Sequence, residues 1–332
     1  MAACAGARRS AKVGLLPVLK PAGAGLTGAK QQGEITAAVR MIVLAKQVPD
    51  TKNVTGEVMK PDGTLNRAAL AAIFNPEDLN ALEMALELKD RYGGEVIVIS
   101  MGPPRAADIL RDALCRGADR AILLSDRRFA GADTLATSYT IAQAITTHLM
   151  PFDLVICGRQ AIDGDTAQVP PQVAEKLGIP QVTYAVQVLE VSDHRARLRR
   201  DLGRREEIVE AELPLLITIP RTANRPRWPH ARRLLKYRHA RCAFELEAEA
   251  RRRGCEVGEL LADLQARGLY IETWGAEEIQ ADLARVGLSG SPTKVKKVDS
   301  VVLKGRSLRF FPPDDAGVKA LVKELIEERT FG

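Results

Sequence analysis

Between Met41 and Leu177, short uninterrupted apolar runs alternate four times with stretches of helical periodicity, and few architectures accept that pattern. Met41-Ile-Val-Leu-Ala45, Glu95-Val-Ile-Val-Ile-Ser100, Arg120-Ala-Ile-Leu-Leu124 and Phe152-Asp-Leu-Val-Ile-Cys157 lack the alternation of a half-exposed strand. They read as strands buried on both faces. Between and after them, Pro76–Arg91, Arg105–Arg116, Asp133–His148 and Thr166–Leu177 read as helices, the first with Leu79, Leu82, Leu86 and Leu88 on or near one face. Strands of this kind separated by helices predict a parallel α/β sheet covered on both sides.

After Pro180 the pattern changes. Gln181–Val191, Arg195–Asp201, Glu206–Glu212 and Leu215–Ile219 are strand-like with polar breaks, which predicts an antiparallel addition or a sheet edge. Arg221–Arg241 holds eight Lys or Arg residues and no acid, and a charged helix is expected over Phe244–Arg267. Ile271 to Gly332 reads as an arm ending in an amphipathic helix over Asp314–Glu328. Residues 1–40 carry six basic side chains and one acid without a periodic apolar pattern. They are expected to be disordered, either as an upstream extension or as a loose match to an organellar transit peptide. The expected organisation is therefore an extension (1–40), an α/β domain (41–241) with its basic loop at 221–241, and a helical insert with an arm (242–332). A cytoplasmic location is expected, or the mitochondrial matrix if residues 1–40 are a transit peptide.

The net charge of +6 raises the question of nucleic acid, but residues 1–40 account for +5 of it. The remaining chain, with 42 basic and 41 acidic groups, is close to neutral. Aromatic residues at 4% are too sparse for base-stacking platforms, so no nucleic-acid partner is expected. No run of eighteen apolar residues exists, and no membrane insertion is expected. Five cysteines without a C-x-x-C pair, and four histidines outside any H-E-x-x-H, leave no metal site in view. G-x-G-x-x-G after the first strand, a P-loop and a Ser/His/Asp grouping are all missing, so no catalytic side chain is expected.

In a parallel sheet, ligands bind beyond the carboxyl ends of the strands. The densest polar cluster follows the fourth strand, from Gly158 through Asp163, Gly164 and Asp165 to Gln168, Pro170 and Pro171. Gly158 is suited to a sharp turn, and Asp165 or Thr166 to an N-cap. Free amides at the following helix start would suit a phosphate, with Asp163 and Gln168 bonding a ribose or base. A polar loop that merely caps a helix is the alternative. Asn75-Pro76-Glu77-Asp78 is likewise an ordinary helix start, or a start whose polar groups also reach a nucleotide.

Five stretches in order carry a resemblance: Lys46-Gln-Val-Pro-Asp50, Phe74-Asn-Pro76, Ser100-Met-Gly-Pro103, Arg116-Gly-Ala-Asp-Arg120, and Gly158-Arg-Gln-Ala-Ile-Asp163 continuing to Gln168. From Met41 to the C terminus the chain resembles the beta subunit of electron-transfer flavoprotein. The resemblance implies an adenine-nucleotide-hydrolase-like (Rossmann-like) fold with antiparallel additions and a C-terminal arm packing on a larger alpha subunit. Electrons would pass through the heterodimer between a flavin dehydrogenase and a quinone- or ferredoxin-linked acceptor, with NADH a further candidate partner. Redox activity would belong to flavin in the complex. A free-standing adenine-nucleotide-binding protein of the stress type is the rival reading.

The resemblance places nucleotide contacts at Leu44, at Asn75, Pro76, Glu77 and Asp78, and at Met101. They continue along Ala161, Ile162, Asp163, Gly164, Asp165, Thr166, Ala167, Gln168, Val169, Pro170, Pro171 and Gln172. That pocket holds AMP in housekeeping members and a second FAD in electron-bifurcating members. Housekeeping members usually carry consecutive acids after the Ala-Ile pair, whereas here the run is Asp163-Gly164-Asp165-Thr166. Gly287-Leu-Ser-Gly-Ser-Pro-Thr293 also resembles the bifurcating group, so FAD is expected. Asn224-Arg-Pro-Arg-Trp228 departs from the family's Asn-Glu-Pro-Arg-Tyr, and Ala223 stands where housekeeping members present a leucine anchor. The basic segment is expected to dock an acidic partner through Ala223, Arg225, Arg232 and Arg233.

Overall fold

The computed structural model describes residues 14–15, 38–50, 71–192, 194–294 and 309–327. The chain divides into two compact units, Met1–Val54 with Ala69–Lys296, and Thr55–Ala68 with Lys297–Gly332. Most of the expected 1–40 extension lies outside the described residues. Gly14–Leu15 (β1) is described as a short strand.

The apolar runs form a parallel sheet. Val39–Leu44 (β2), Gly94–Met101 (β5), Arg120–Leu124 (β6) and Leu154–Gly158 (β7) match the four predicted strands. Leu215–Ile219 (β12), Gln181–Val182 (β8), Arg241–Cys242 (β13) and Tyr270–Trp274 (β14) complete an eight-stranded order β13-β14-β6-β5-β2-β7-β12-β8. Every pairing in it is parallel. Met41, Val43, Val96, Val98, Leu154 and Ile156 pack on one face with Pro76–Tyr92 (α1) and Ala107–Arg116 (α2). Ile42, Leu44, Ile97, Ile99, Val155 and Cys157 pack on the other with Thr134–His148 (α3) and Val169–Leu177 (α4). Burial of both faces is why these strands are continuously apolar.

A short antiparallel pair, Gln47–Pro49 (β3) and Ala72–Phe74 (β4), leads from β2 towards α1. Ala185–Val191 (β9), Arg195–Asp201 (β10) and Glu206–Glu212 (β11) form the antiparallel addition, with β1 against β11. Val188, Val191, Ala196, Leu198, Val209 and Ala211 turn inward onto the α1/α2 core, and the charged residues between them are half-buried or exposed.

Four expectations change. Leu215–Ile219 is a parallel strand beside β7, and its five residues are all buried. After the short helix Ala231–Tyr237 (α5), the single charged helix is two, Ala243–Arg253 (α6) and Val257–Ala266 (α7), because Gly254 turns left-handed at φ 65°. The arm does not begin at Ile271: β14 pairs with β6, with Ile271 fully buried. Arg40, grouped with the tail, lies in β2, where its guanidinium reaches Glu95 at 3.1 Å and the carbonyls of Leu149 and Pro151. The second unit contains Asp315–Glu327 (α8), with Val318, Leu321, Val322 and Ile326 exposed along it and an Arg309–Glu324 ion pair at 2.7 Å.

The strand order places β2 between strands reached by connections on opposite faces, and such a switch point is where open α/β sheets bind ligands. β7 ends there at Gly158, against the first turn of α1. A Cβ on Gly158 would lie 2.4 Å from Asp78 Oδ1 and 2.8 Å from the Glu77 carbonyl carbon. The glycine is therefore required by close approach, not by the sharp turn read from the sequence. Gly158→Ala is expected to lower unfolding stability by about 1–3 kcal/mol. A urea midpoint equal to the parent's would contradict this packing.

Candidate functional site

The site is organised by the first turn of α1. Asn75 occupies the N-cap position and Pro76 is the first helical residue, as the sequence indicates, but the Asn75 side chain does not cap its own helix. Its amide nitrogen donates to the Gln160 carbonyl at 2.9 Å, and its oxygen accepts the Ile162 N–H at 3.1 Å. Glu77 accepts from the Arg159 guanidinium at 3.0 and 3.3 Å and from the Gln160 N–H at 3.0 Å. Asp78 accepts the Lys46 N–H at 2.8 Å and the Gly158 N–H at 3.1 Å. All three side chains are buried, with Asn75 at 0% exposure. They tie the end of β2 to the loop that follows β7, across gaps of 32 to 87 residues in sequence.

Burial is the largest influence on Asp78 and raises its carboxyl to about 7, against the opposing hydrogen bonds from Asn75, Lys46 and Gly158. Burial also pushes the neighbouring Cys157 thiol well up, which makes it a poor nucleophile. The Lys46 ammonium meets Asp163 at 2.7 and 2.8 Å.

Helix α4 starts at Val169, not at Thr166. A cap at Thr166 would carry Pro171 past the first turn, where its missing N–H and its ring are not tolerated. The later start leaves Pro170 and Pro171 in the first turn. Neither proline has an N–H, so the expected helix-start amides are mostly absent. The loop before the helix supplies amides in their place. Asp165 and Ala167 are both left-handed, at φ 51° and 53°, a backbone pattern found in anion cradles. Among the described residues, the amides of Gly164, Thr166, Ala167, Gln168 and Val169 have no acceptor within the chain. A Cβ on Gly164 would meet nothing within 4 Å. Free amides beside open space fit the phosphates of a nucleotide.

The remaining expected contacts divide by role. Leu44 belongs to the apolar cluster on the α3/α4 face, and Met101 and Val169 pack against it. Asn75, Glu77 and Asp78 are buried and hold the backbone of the 158–162 stretch and of Lys46. Gln172 accepts from Ser138 at 3.1 Å, and Gln168 accepts from Thr134 at 2.9 Å, so both join α3 to α4. Asp165 accepts from Gln160 Nε2 at 2.7 Å, and the Ala161 carbonyl accepts the Asp165 N–H. Thr166 is exposed, Pro171 half-buried and Pro170 buried.

Three participants escaped the sequence reading. Asp133 caps α3 through the Leu135 and Ala136 amides and accepts the Thr293 N–H at 3.0 Å. Ser291 accepts the Asp133 N–H at 2.8 Å and donates to the Gly287 carbonyl. Thr134 lies beside them on the loop-facing end of α3. The stretch 287–293 thus braces α3, and the only available signal for this was the motif itself.

In the basic segment, Arg233 does not point outward. Its guanidinium bonds the Leu114 and Ala118 carbonyls at the end of α2. Arg227 is held by Glu83 and Asp90, and Arg241 by Glu249. Arg225 and Arg232 are exposed, Ala223 packs partly against the core, and Trp228 is 88% exposed.

A parallel Rossmann-like sheet, with a loop of free amides beyond the carboxyl ends of its strands at the switch point, has the architecture that open α/β proteins use for ligand binding. Residues 62–250 match the electron transfer flavoprotein domain. The chain is 43% identical over 290 residues to the electron transfer flavoprotein subunit beta of Clostridium acetobutylicum, covering 87% of this chain and 99% of that one. It is 40% identical over 296 residues to the subunit beta of Megasphaera elsdenii, covering 87% and 97%. It is also 39% identical over 296 residues to the acryloyl-CoA reductase electron transfer subunit gamma of Anaerotignum propionicum, covering 88% and 100%. The chain belongs to the electron transfer flavoprotein beta subunit family and functions in electron transfer, and the free-standing stress-type reading is not favoured. Among the described residues, no helix is long and apolar enough to cross a membrane.

The raised Asp78 carboxyl gives a signed expectation. Its native value of about 7 lies above the ordinary 3.8, so the folded state holds this proton more tightly. The resulting stabilisation is complete below about pH 4 and is lost as pH rises through about 7. In Asp78→Asn, the stability gap to the parent should narrow between pH 5 and pH 8 in chemical denaturation. A gap that widens with pH would contradict the assignment.

Proposed function

We propose that this chain works as the beta half of a heterodimer whose pocket beside the 158–168 loop holds FAD. The observation that carries the proposal is the free-amide loop around Gly164, open where consecutive acids would place side chains. Amides of Gly164, Thr166, Ala167 and Gln168 would hold the diphosphate, and Leu44, Met101 and Val169 would offer apolar contact. Flavin bound there supplies one- and two-electron redox chemistry, and the protein contributes position and electrostatics. The chain's own part is to fix the loop through Asn75 and Glu77, and to keep Asp78 and Cys157 buried away from reaction. The AMP-type pocket is the alternative occupancy.

The alpha subunit is the obligate partner in this reading. The exposed apolar residues of α8, Val318, Val322 and Ile326, are the surface offered to it by the C-terminal arm. Arg225 and Arg232 meet an acidic dehydrogenase or reductase, and the naming of one relative as an electron transfer subunit of acryloyl-CoA reductase supports a partner of that class. Arg233 is removed from the docking set because it is committed to α2. NADH remains a candidate electron donor.

Two measurements test the proposal. Denaturation of the purified heterodimer and chromatography of the released nucleotides should give two FAD and no AMP per complex. One FAD with one AMP would overturn the cofactor assignment. Arg225→Gln with Arg232→Gln should slow electron exchange with the partner about threefold or more at low salt and flatten its ionic-strength dependence. Arg233→Gln should instead lower stability. An unchanged rate and salt slope in the double variant would remove the basic segment from docking.

A further inference from the structure

Helices α3 and α4 pack side by side beyond the 158–168 loop. Thr134 meets Gln168 and Ser138 meets Gln172, and Lys176 stands one turn further along α4. This is about 12 Å from Gln168 along the helix axis. There a cleft of about 380 Å³ is lined by Leu135, Tyr139, Lys176 and the segment from Ala284 and Arg285 to Pro292.

Two cations share this cleft. The Arg285 guanidinium lies over the Tyr139 ring, 4.0 Å from its centroid. The ring is itself fixed, since its hydroxyl accepts the Asp282 N–H at 2.9 Å. The backbone carrying Arg285 is preset as well. A Cβ on Gly290 would lie 2.1 Å from the Arg285 carbonyl carbon, and the Gly290 N–H bonds the Val286 carbonyl at 2.9 Å. Lys176 is half-buried, and its ammonium is destabilised first by burial and then by the Arg285 charge, with Glu175 a weaker opposing influence. Among the described residues neither cation has a carboxylate within ion-pair distance. Two like charges held together without a counter-charge repel, and an anion between them reverses the sign of the interaction.

The nearby hydroxyls are already engaged. Ser289 donates to the Leu283 and Val286 carbonyls and Ser291 to the Gly287 carbonyl, so neither defines the ligand. The donors left are a planar guanidinium fork, an ammonium and the proton of Tyr139. A flat fork with a point charge beside it suits a tetrahedral oxyanion. We propose that the Lys176–Arg285 cleft is a second anion site, taking a phosphate group and separate from the pocket of the 158–168 loop. The phosphate is either inorganic or the terminal group of a nucleotide.

The test uses the full chain in its heterodimer with the nucleotide pocket kept saturated, so that failure of the flavin assignment does not affect the outcome. Inorganic phosphate and ADP are titrated separately by calorimetry at constant ionic strength. At least one should bind, at least tenfold more weakly in Lys176→Gln and in Arg285→Gln, with affinity largely restored in Lys176→Arg. The tighter of the two identifies the source of the phosphate. Absence of binding by both probes, or equal affinity in the Lys176→Gln/Arg285→Gln double variant, would overturn the proposal. Loss of subunit association in that double variant, without phosphate binding in the parent, would overturn it in favour of a partner carboxylate.

Discussion

Three polar side chains in the first turn of α1 are placed where water does not reach them, and the geometry of the site depends on that placement. Asn75, Glu77 and Asp78 each bond backbone groups from other parts of the chain. A buried polar group costs about 1–3 kcal/mol when its partner is missing, so these bonds are enforced once the helix is packed. The end of β2 and the loop after β7 are thereby held to one rigid helix. Gly158 permits this because only a residue without Cβ lets β7 approach that turn.

The loop held in this way is well suited to a diphosphate for a reason opposite to the usual one. A helix N-terminus commonly supplies the amides, but Pro170 and Pro171 remove two of them from α4. The donors are moved back into a loop with left-handed residues at Asp165 and Ala167. The helix still contributes its dipole, and the loop contributes the hydrogen bonds. The same division of labour holds at α3, where Asp133 uses the capping position and recruits the 287–293 stretch.

Much of the fold was legible because burial on both faces leaves a direct trace in composition. Met41-Ile-Val-Leu and Val96-Ile-Val-Ile show no alternation, and they are central strands. The same rule applied to Leu215–Ile219 identifies a parallel strand, and the polar strands around it drew that segment into the antiparallel group instead. Asp165 and Thr166 suggested a cap by residue type, while the two prolines four and five residues on carried the stronger constraint. In the site, residue types were visible but their directions were not. Asn75 reads as a cap, and only the approach of the β7 loop turns it outward. The eight positive charges of 221–241 were equally visible, yet the pairing of Arg227, Arg233 and Arg241 with distant acids and carbonyls depends on the packed fold.

The first turn of α1 positions the 158–168 loop through hydrogen bonds to its backbone. Asn75→Ala removes the bonds to Gln160 and Ile162 and leaves every proposed phosphate donor in place. The most direct measurement is the dissociation constant for FAD of the reconstituted heterodimer carrying this substitution. Weakening of at least about tenfold, equivalent to about 1.4 kcal/mol, is expected with the heterodimer still assembled. An unchanged dissociation constant in a folded, assembled variant would contradict it.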